Sequence, residues 1–463
     1  MSKLPQKLLF CALTLALIGV GSVNAEDHSD FFEGPFNSGP EVTKACLECH
    51  EDAATEVMAT SHWTWESEQI IDGKKVKRGK INVMNNFCGS VQSNEPRCTS
   101  CHVGYGWVDD NFDFTDQSRV DCLICHDTTG TYSKPSTAGG MPAKDIDLTK
   151  IAQNVGLPER DDCLTCHAYG GGGNNVKHGD IGKALTNPTI DVDFHMGTDS
   201  LDFTCQECHT TESHNIAGDS LVVSPNNTSK VTCVQCHDAD PHSESILNAH
   251  AAKVSCQACH IPTYAKVDGT KMTWDWSASE KGTKEEIEHG HKVFIPKKGR
   301  FTYESNVVPE YRWYNGTADA YNIGDKIDPS KVTALNEPFG NINDENAKIM
   351  PFKIHRGKQA YDATNMYMIT PKVWGPKDDP TAYWVNYKKI GAAAAWQKAS
   401  AAGMKEYGLD FSGNIEFTET ESYWPINHMV AEADKALGCL DCHGDSGRLN
   451  WEELGYKGDP LTK

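Results

Sequence analysis

The chain has 463 residues, with 43 Lys and Arg against 64 Asp and Glu for a formal net charge of −21, and 38% of its residues are hydrophobic. This balance excludes a disordered or fibrous chain, and the acidity argues against binding to nucleic acid. No apolar run after residue 25 reaches the roughly 18 residues of a membrane-spanning helix, so we expect no membrane insertion. The 18 cysteines are compatible with disulfides, zinc sites or covalent haem, and their spacing must decide.

The N-terminus predicts a signal peptide over residues 1–25. Lys3 and Lys7 form a short positive region, an apolar core covers residues 8–20, and Val23-Asn24-Ala25 ends it with a small-residue cleavage pattern. The core is too short for a membrane anchor and an acidic stretch follows it. We therefore expect the mature protein in the periplasm, which is an oxidising compartment.

Eight copies of the motif Cys-x-x-Cys-His dominate the mature sequence. The two thiols of such a motif add to the two vinyl groups of a haem, and the adjacent histidine then falls under the iron. A disulfide framework gives no reason for a histidine after every second cysteine, and zinc sites would need the motifs to converge in pairs. The motifs predict eight covalently bound haems c, at Cys46/Cys49/His50, Cys98/Cys101/His102, Cys122/Cys125/His126, Cys163/Cys166/His167, Cys205/Cys208/His209, Cys233/Cys236/His237, Cys256/Cys259/His260 and Cys439/Cys442/His443.

The spacing of the motifs predicts the domain organisation. Seven of them lie in a haem-rich domain, residues 26–260, at about 31 residues per haem, which is too few to bury a side-chain core. We therefore expect a mainly α fold with extensive irregular loops and a haem-packed core. Residues 261–438 carry no motif and read as a wrapping insert of loops and short strands, with one strong helix former at Ala392–Trp396. Residues 439–463 carry the eighth motif, and we expect this segment to pack against the other haems.

Eleven further histidines are candidates for the second axial position, where a histidine makes a haem six-coordinate and suited to electron transfer. His28 lies near the N-terminus, and His289, His291 and His355 lie far from any motif, so we expect surface or structural roles for these four. His428 precedes a predicted helix over residues 429–437. The seven predicted distal ligands are His62, His178, His195, His214, His242, His250 and His428.

Two unusual features are candidates for a catalytic centre. Four glycines at residues 170–173 allow close backbone approach, and Lys177 follows beside His178. A buried lysine can lose its proton and bind iron, although spacing alone favours an exposed loop lysine. Cys88 is the one mature cysteine outside a motif, either an inert buried thiol or a reactive one. The basic run of residues 74–80 before it either draws in anions or merely offsets the acidic surface.

The eight motifs, Cys88 before the second motif and Asn175-Val176-Lys177-His178 between the fourth and fifth together resemble the octahaem tetrathionate reductase family. The resemblance covers essentially the whole mature chain. It implies that Cys98, Cys101 and His102 hold the catalytic haem, that Lys177 is its lysine ligand and that Cys88 lines the pocket. Pentahaem nitrite reductases are disfavoured because their Cys-x-x-Cys-Lys motif is absent.

The resemblance also implies an activity and partners. The family reduces tetrathionate, and also nitrite and hydroxylamine, with electrons from a transient redox partner such as a membrane quinol-oxidising cytochrome. The histidine count leaves open an alternative, a non-catalytic electron-transfer cytochrome with eight bis-histidine haems. A structural calcium ion would be compatible with the acidic composition, but no calcium-loop motif supports one.

Overall fold

The computed structural model describes residues 28–71, 74–87, 89–221, 229–279 and 281–462. Helices account for 24% of the described residues and strands for 20%, so the prediction of a mainly α fold is wrong. The difference comes from residues 270–425, which form a large mixed sheet rather than loops with short strands. This segment is rich in aromatic and β-branched residues, which fit the pleated surface of a sheet.

The helices are short, and seven of the thirteen contain all or part of a Cys-x-x-Cys-His motif. One helical turn places cysteines at i and i+3 on the same face, so a single turn is enough to present both thiols. In chain order the helices are α1 (Gly39–Cys46), α2 (Ala53–Met58), α3 (Ser61–Thr64), α4 (Glu95–Cys98), α5 (Leu123–His126), α6 (Leu148–Gln153), α7 (Arg160–His167), α8 (Cys205–Cys208), α9 (Ser245–Ala251), α10 (Cys256–His260), α11 (Tyr383–Asn386), α12 (Ala392–Glu406) and α13 (Cys439–Cys442). Helix α12 contains the predicted helix former.

The strands before residue 270 form two small hairpins, and the later ones form the large sheet. The first hairpin carries the basic run. In chain order the strands are β1 (Ser67–Ile71), β2 (Lys74–Arg78), β3 (Thr211–Glu212), β4 (Asn215–Ile216), β5 (Thr270–Asp275), β6 (Glu286–Glu288), β7 (His291–Ile295), β8 (Gly299–Glu304), β9 (Glu310–Tyr314), β10 (Ala318–Ala320), β11 (Thr333–Pro338), β12 (Lys348–Asp362), β13 (Tyr367–Met368) and β14 (Ile415–Pro425).

Strand β12 organises the large sheet. The strand order is β10-β11-β14-β12-β5-β8-β7-β6, and β9 and β13 also pair with β12. Strand β12 runs antiparallel to β14, from Phe352 opposite Pro425 to Asp362 opposite Ile415, and parallel to β5. Its 15 residues are buried on both faces over most of their length. A strand covered on both sides has no alternating polar pattern, which is why the sequence does not reveal it.

The hydrophobic core is divided into clusters on either side of the haem motifs. One cluster joins the large sheet to α12 through Trp274, Tyr383 and Trp396. Another surrounds the second motif and includes Trp63 and Trp107. Cys98 of the second motif and Cys122 and Cys125 of the third pack against this cluster, so both motifs have cover from side chains.

The predicted helix over residues 429–437 does not form as an α-helix. The structure has only a 3-10 turn at Ala433–Lys435. The backbone amides of residues 427–430 donate instead to the carboxylates of Asp180 and Asp193, at 2.7–3.1 Å. Met429 is also in the left-handed region, with φ of 72°. Side-chain acceptors thus take the amides that would begin a helix.

Some predictions fall outside the described residues or concern features that they lack. The predicted signal peptide and Cys88 lie outside them. Within them, no helix has the length and apolar character needed to cross a bilayer. The same residues hold no group of three or more His, Cys, Asp or Glu side chains that could hold a metal ion.

Candidate functional site

Side chains of all eight motifs line one large cavity. Its volume is about 3660 Å³, several times the roughly 300–1,000 Å³ of a pocket for one small ligand. Seven of the eight motif histidines reach this cavity, and His102 is the one that does not. The cavity therefore has the size and the thiol lining for several large covalent cofactors.

Fifteen of the sixteen motif cysteines line this cavity, and Cys49 is the exception. The sequence predicts a haem thioether at Cys49, but its side chain is exposed and lies outside the cavity lining. Helix α1 ends at Cys46, so the rest of the first motif forms a turn in which the Cys49 amide donates to the Cys46 carbonyl oxygen at 3.2 Å. This turn leaves the Cys49 side chain at the surface, whereas Cys46 and His50 reach the cavity. The structure thus leaves Cys49 outside the cavity lining, and a haem thioether at Cys49 stays a prediction.

Each of the seven motif histidines on the cavity faces a second histidine across it. The separations of the ring centres fall between 6.1 and 6.4 Å, although the angles between the ring planes vary from 19° to 84°. Rings in direct contact would not keep one separation at such different angles. The pairs are His50 with His28, His126 with His214, His167 with His62, His209 with His428, His237 with His195, His260 with His242 and His443 with His250.

The constant separation fits one iron atom between two imidazoles. An imidazole nitrogen binds a metal ion at about 2.0–2.1 Å, and the ring centre lies about 1 Å behind that nitrogen, so two axial rings on one iron should be about 6 Å apart. The angle between the rings is unrestricted in such an arrangement, because each ring can turn about its own iron–nitrogen bond. The paired histidines therefore fit the axial positions of haem.

Hydrogen bonds at Nδ1 orient many of these rings. Nδ1 of His126 donates to the carbonyl oxygen of Gly156 at 2.7 Å, and Nδ1 of His443 donates to a carboxylate oxygen of Asp459 at 2.6 Å. This use of Nδ1 leaves Nε2 to bind iron. The same arrangement holds for His209 with Ala217, His214 with Glu56, His242 with Asn248, His250 with Ile246 and His428 with Asp180.

Two histidines lie where the sequence did not place them. His28, which we expected in a surface or structural role, is the ring that faces His50. His178, predicted as a distal ligand, packs against the indole of Trp424 with ring centres 5.1 Å apart. The other six predicted distal histidines each face a motif histidine. No local pattern marks His28, because the pairing joins residues that only the folded chain brings together.

His102 is turned away from the cavity into an aromatic cage. Its Nε2, the nitrogen that would bind iron, is bonded to the carbonyl oxygen of Trp63 at 2.8 Å. The rings of Trp63, Trp65, Trp107 and Phe112 lie 4.9–5.5 Å from it, and only 1% of the side chain is exposed. This burial lowers the pKa of His102 to about 3. The arrangement differs from that of every other motif histidine.

Lys177 reaches the cavity on a loop that follows the four glycines. Burial, together with the positive charge of Lys80, lowers the pKa of its amine from the ordinary 10.5 to about 7. The negative charge of a Cys101 thiolate would act in the opposite direction, which places this amine near the second motif. Its Nζ also lies 4.7 Å from the ring centre of Trp424. The structure therefore brings a readily neutralised amine to the side of the cavity where Cys101 lies.

Most of the basic run is paired rather than open to anions. Lys75 bridges to Glu68 on β1 and Lys77 to Glu66 just before it, both at 2.6 Å, and Arg78 bridges to Asp319 at 2.7 Å. Lys80 differs, because its Nζ lies 4.3 Å above the Trp65 ring and its side chain lines the cavity. Phe87, the residue before Cys88, also lines the cavity.

The motif cysteines show which attachment sites are neighbours. Cysteines of different motifs lie close enough for their side chains to interact in four pairs: Cys46 with Cys122, Cys101 with Cys166, Cys163 with Cys205, and Cys233 with Cys256. Three further pairs are close enough for their charges to interact, namely Cys125 with Cys163, Cys208 with Cys236 and Cys259 with Cys442. Together these contacts arrange the motifs in the order one, three, four, five, six, seven, eight, with the second beside the fourth.

Comparison with known proteins agrees with this geometry. Three family models match the chain: Cytochrome c554 and c-prime over residues 45–127, Cytochrome c7 and related cytochrome c over residues 189–261, and Cytochrome c bacterial over residues 271–446. The crystal structure of octaheme cytochrome c from Shewanella oneidensis is 49% identical, covers 95% of this chain and 98% of its own, and superposes with a TM-score of 0.88. An uncharacterized protein of Archaeoglobus fulgidus is 24% identical over 247 residues, 42% of this chain and 82% of that protein.

The likeness to the Shewanella protein extends over nearly the full length of both chains. The site geometry agrees with that likeness. Seven histidine pairs share one separation, and fifteen motif cysteines line one cavity, as covalently bound haems require. The chain therefore belongs to the multihaem c-type cytochromes, in the family of the octahaem cytochrome c of Shewanella oneidensis, and it carries covalently bound haem c.

Proposed function

We propose that the protein is a periplasmic octahaem reductase, in which bis-histidine haems pass electrons to one haem ligated by Lys177. The contrast between the second motif and the other seven carries this proposal. Seven motif histidines face another histidine, whereas Nε2 of His102 bonds to the Trp63 carbonyl and Lys177 lies on the cavity instead. With one ligand from the chain, the haem at Cys98 and Cys101 keeps an axial position for substrate.

The axial ligands in this proposal differ from the sequence-based set at two positions. His28 takes the distal place that the sequence gave to His178, and Lys177 takes the place of His102. An amine binds iron through its lone pair, so it must be unprotonated. Burial, with the charge of Lys80, lowers the pKa of Lys177 to about 7, so a large fraction of this amine is neutral near neutral pH.

The proposed substrates are small sulfur and nitrogen compounds. Tetrathionate takes up two electrons, its central S–S bond breaks, and two thiosulfate ions leave without any proton being consumed. Haem supplies these electrons one at a time, and they come from a transient partner such as a membrane quinol-oxidising cytochrome. The amine of Lys80 on the cavity favours an anion there. Nitrite and hydroxylamine reduction, which also consume protons, are further proposed activities.

The ligand assignment is tested by comparing Lys177→Ala with His102→Gln in the fully haem-loaded protein. Lys177→Ala should keep eight haems, because attachment uses cysteines, and should change the electron paramagnetic resonance signal of one haem while abolishing tetrathionate reduction. His102→Gln should leave all the haem signals as in the parent, because His102 binds a carbonyl rather than iron. A Lys177→Ala spectrum identical to the parent at every haem would make the ligand assignment wrong.

The alternative is an electron-transfer cytochrome with eight bis-histidine haems. It needs an eighth facing pair, whereas the described residues bring seven pairs together and place His178 against Trp424. Eight low-spin haems and no spectral change on adding nitrite or tetrathionate to the reduced protein would favour this carrier. One haem that responds to these compounds would favour the reductase.

A further inference from the structure

We propose that Lys353 is a positioning residue that holds Lys177 in place through the backbone of its loop. This inference rests on the proposed ligand role of Lys177. Lys353 lies on β12, in the haem-free part of the chain, 176 positions away from Lys177. It therefore links the large sheet to the catalytic side of the cavity.

The side chain of Lys353 is fully buried, with 0% of it exposed. Its Nζ donates to the carbonyl oxygen of Val176 at 2.8 Å, to the carbonyl oxygen of Lys177 at 2.9 Å and to Oγ1 of Thr270 at 2.5 Å. Nζ thus lies within hydrogen-bond distance of three oxygen atoms. Two of these contacts fix the peptide groups on either side of the Lys177 α-carbon, which limits where its side chain can point.

Thr270 extends this contact to a third carbonyl. Its hydroxyl accepts from Lys353 and donates to the carbonyl oxygen of Asn175 at 2.7 Å. Thr270 is also fully buried, on the neighbouring strand β5. Three consecutive carbonyls, those of residues 175–177, are thus held by two side chains of the sheet.

The start of the loop is fixed by other contacts. The side-chain amide of Asn174 donates to Asp268 at 2.7 Å, and that of Asn175 donates to the Asp268 carbonyl at 2.6 Å. Asn175 is in the left-handed region with φ of 56°, a conformation that asparagine tolerates better than most residues. A buried amine is a costly way to satisfy three acceptors in a loop. The buried amine of Lys353 is therefore consistent with a need to hold the Lys177 loop in one position.

The same face of β12 also holds the segment before Cys88. Alternate residues of a strand lie on one face, so Lys353, His355 and Gln359 share it. The Asn86 amide donates to Nδ1 of His355 at 2.6 Å, and Gln359 donates to the Asn85 carbonyl at 3.1 Å. One strand face therefore holds both segments that carry the proposed catalytic residues.

The test is Lys353→Met in the haem-loaded protein, with Lys271→Met as the matched control. Lys271 is another buried lysine, on β5, whose amine lies 4.2 Å from the ring centre of Trp274 and 3.9 Å from that of Phe301. Lys353→Met should alter the signal of the lysine haem alone and lower kcat by about 10- to 100-fold with a smaller change in KM, because displaced catalytic groups slow the chemical step. Lys271→Met should leave that signal unchanged.

Two variants of Thr270 test the same contact if Lys353→Met does not fold. Thr270→Val removes the hydroxyl that joins Lys353 to Asn175 and should alter the same haem signal, whereas Thr270→Ser keeps the hydroxyl and should restore it. Identical changes in Lys353→Met and Lys271→Met would overturn the positioning role, since a general loss of packing would explain both.

The result for Lys177→Ala separates this inference from the proposed function. If Lys177→Ala changes one haem but Lys353→Met and Thr270→Val match the parent, only the positioning role is overturned. If all three variants match the parent at every haem, the ligand role of Lys177 is wrong and the positioning role falls with it.

Discussion

At the scale of single residues, the partner of each imidazole decides how its ring is presented. A carbonyl partner at Nδ1 only orients the ring, whereas a carboxylate partner also makes the imidazole a stronger electron donor to iron. His443, His214 and His428 have carboxylate partners, and His126 and His209 have carbonyl partners. Haems bound between these histidine pairs would therefore differ in potential.

We expect Asp459→Asn to raise the midpoint potential of one haem. Asp459 accepts a hydrogen bond from Nδ1 of His443 at 2.6 Å, and its negative charge favours the ferric state of that haem. Asp441→Asn is the control, since Asp441 accepts from the Gly438 amide at 2.8 Å beside the same motif but does not contact His443 Nδ1. A spectroelectrochemical titration measures both. An unchanged profile for Asp459→Asn would contradict the tuning.

Cys88 is expected to act on tetrathionate alone. A thiolate can attack one of the central sulfur atoms, break the S–S bond and release one thiosulfate, which leaves the second bound to the cysteine sulfur. Two electrons then release the second thiosulfate and restore the thiolate. Cys88→Ser should lose most tetrathionate reduction and keep most hydroxylamine reduction, because hydroxylamine has no S–S bond. Steady-state rates with both substrates measure this, and equal losses would make Cys88 a packing residue.

At the scale of elements, the exposed lysines of β2 and Lys80, which follows this strand and lines the cavity, should affect anionic substrates differently. Lys80→Gln should raise KM for tetrathionate about tenfold at low ionic strength and remove most of its salt dependence, because its amine lines the cavity. The combined Lys75→Gln and Lys77→Gln variant should leave KM unchanged, because these exposed lysines already pair with glutamates. The measurement is KM against ionic strength, and equal effects of the two variants would refute the distinction.

The haem motifs could be predicted from sequence because each is a local pattern within about one turn of chain. The position of Cys49 could not, because it depends on where α1 ends and on what covers the turn that follows. Six of the histidines that face a motif histidine could also be selected from the sequence, because they lie near motifs along the chain. The pairing of His28 with His50 could not, because the two residues meet only in the folded protein.

Strand β12 and the contact of Lys353 with Lys177 were missed for a related reason. The strand contains Pro351, Gly357 and a buried lysine, which are unfavourable or uncommon in strands. Only its neighbours in the sheet make this segment a strand. Contacts between distant parts of the chain therefore determine the strand conformation of this segment, which local sequence patterns do not predict.

At the scale of the whole molecule, the two parts of the chain should depend on haem to different degrees. The cavity of about 3660 Å³ cannot stay open in an apolar interior without its cofactors, since interiors are close-packed. The large sheet has a core of its own that includes Trp274, Trp276 and Trp396.

We therefore expect protein produced without haem attachment to be cleaved by protease throughout residues 28–260 and to keep a protected fragment containing β5–β14. Limited proteolysis with mass spectrometry measures this, and the haem-loaded protein is the control, in which both regions should resist. Equal cleavage of the two regions in the haem-free protein would show that the sheet also needs haem.

The contacts among the motif cysteines have a consequence for how electrons reach the second motif. That motif neighbours the fourth, which lies inside the series rather than at an end. A haem on such a side branch can be supplied from either terminus of the series, through the first and third motifs or through the eighth to the fifth. Blocking one terminal route should then slow turnover without stopping it, whereas removing the haem of the fourth motif should slow the supply from both termini. Among the cysteine contacts described above, the fourth motif is thus the junction between the second motif and a series with two terminals.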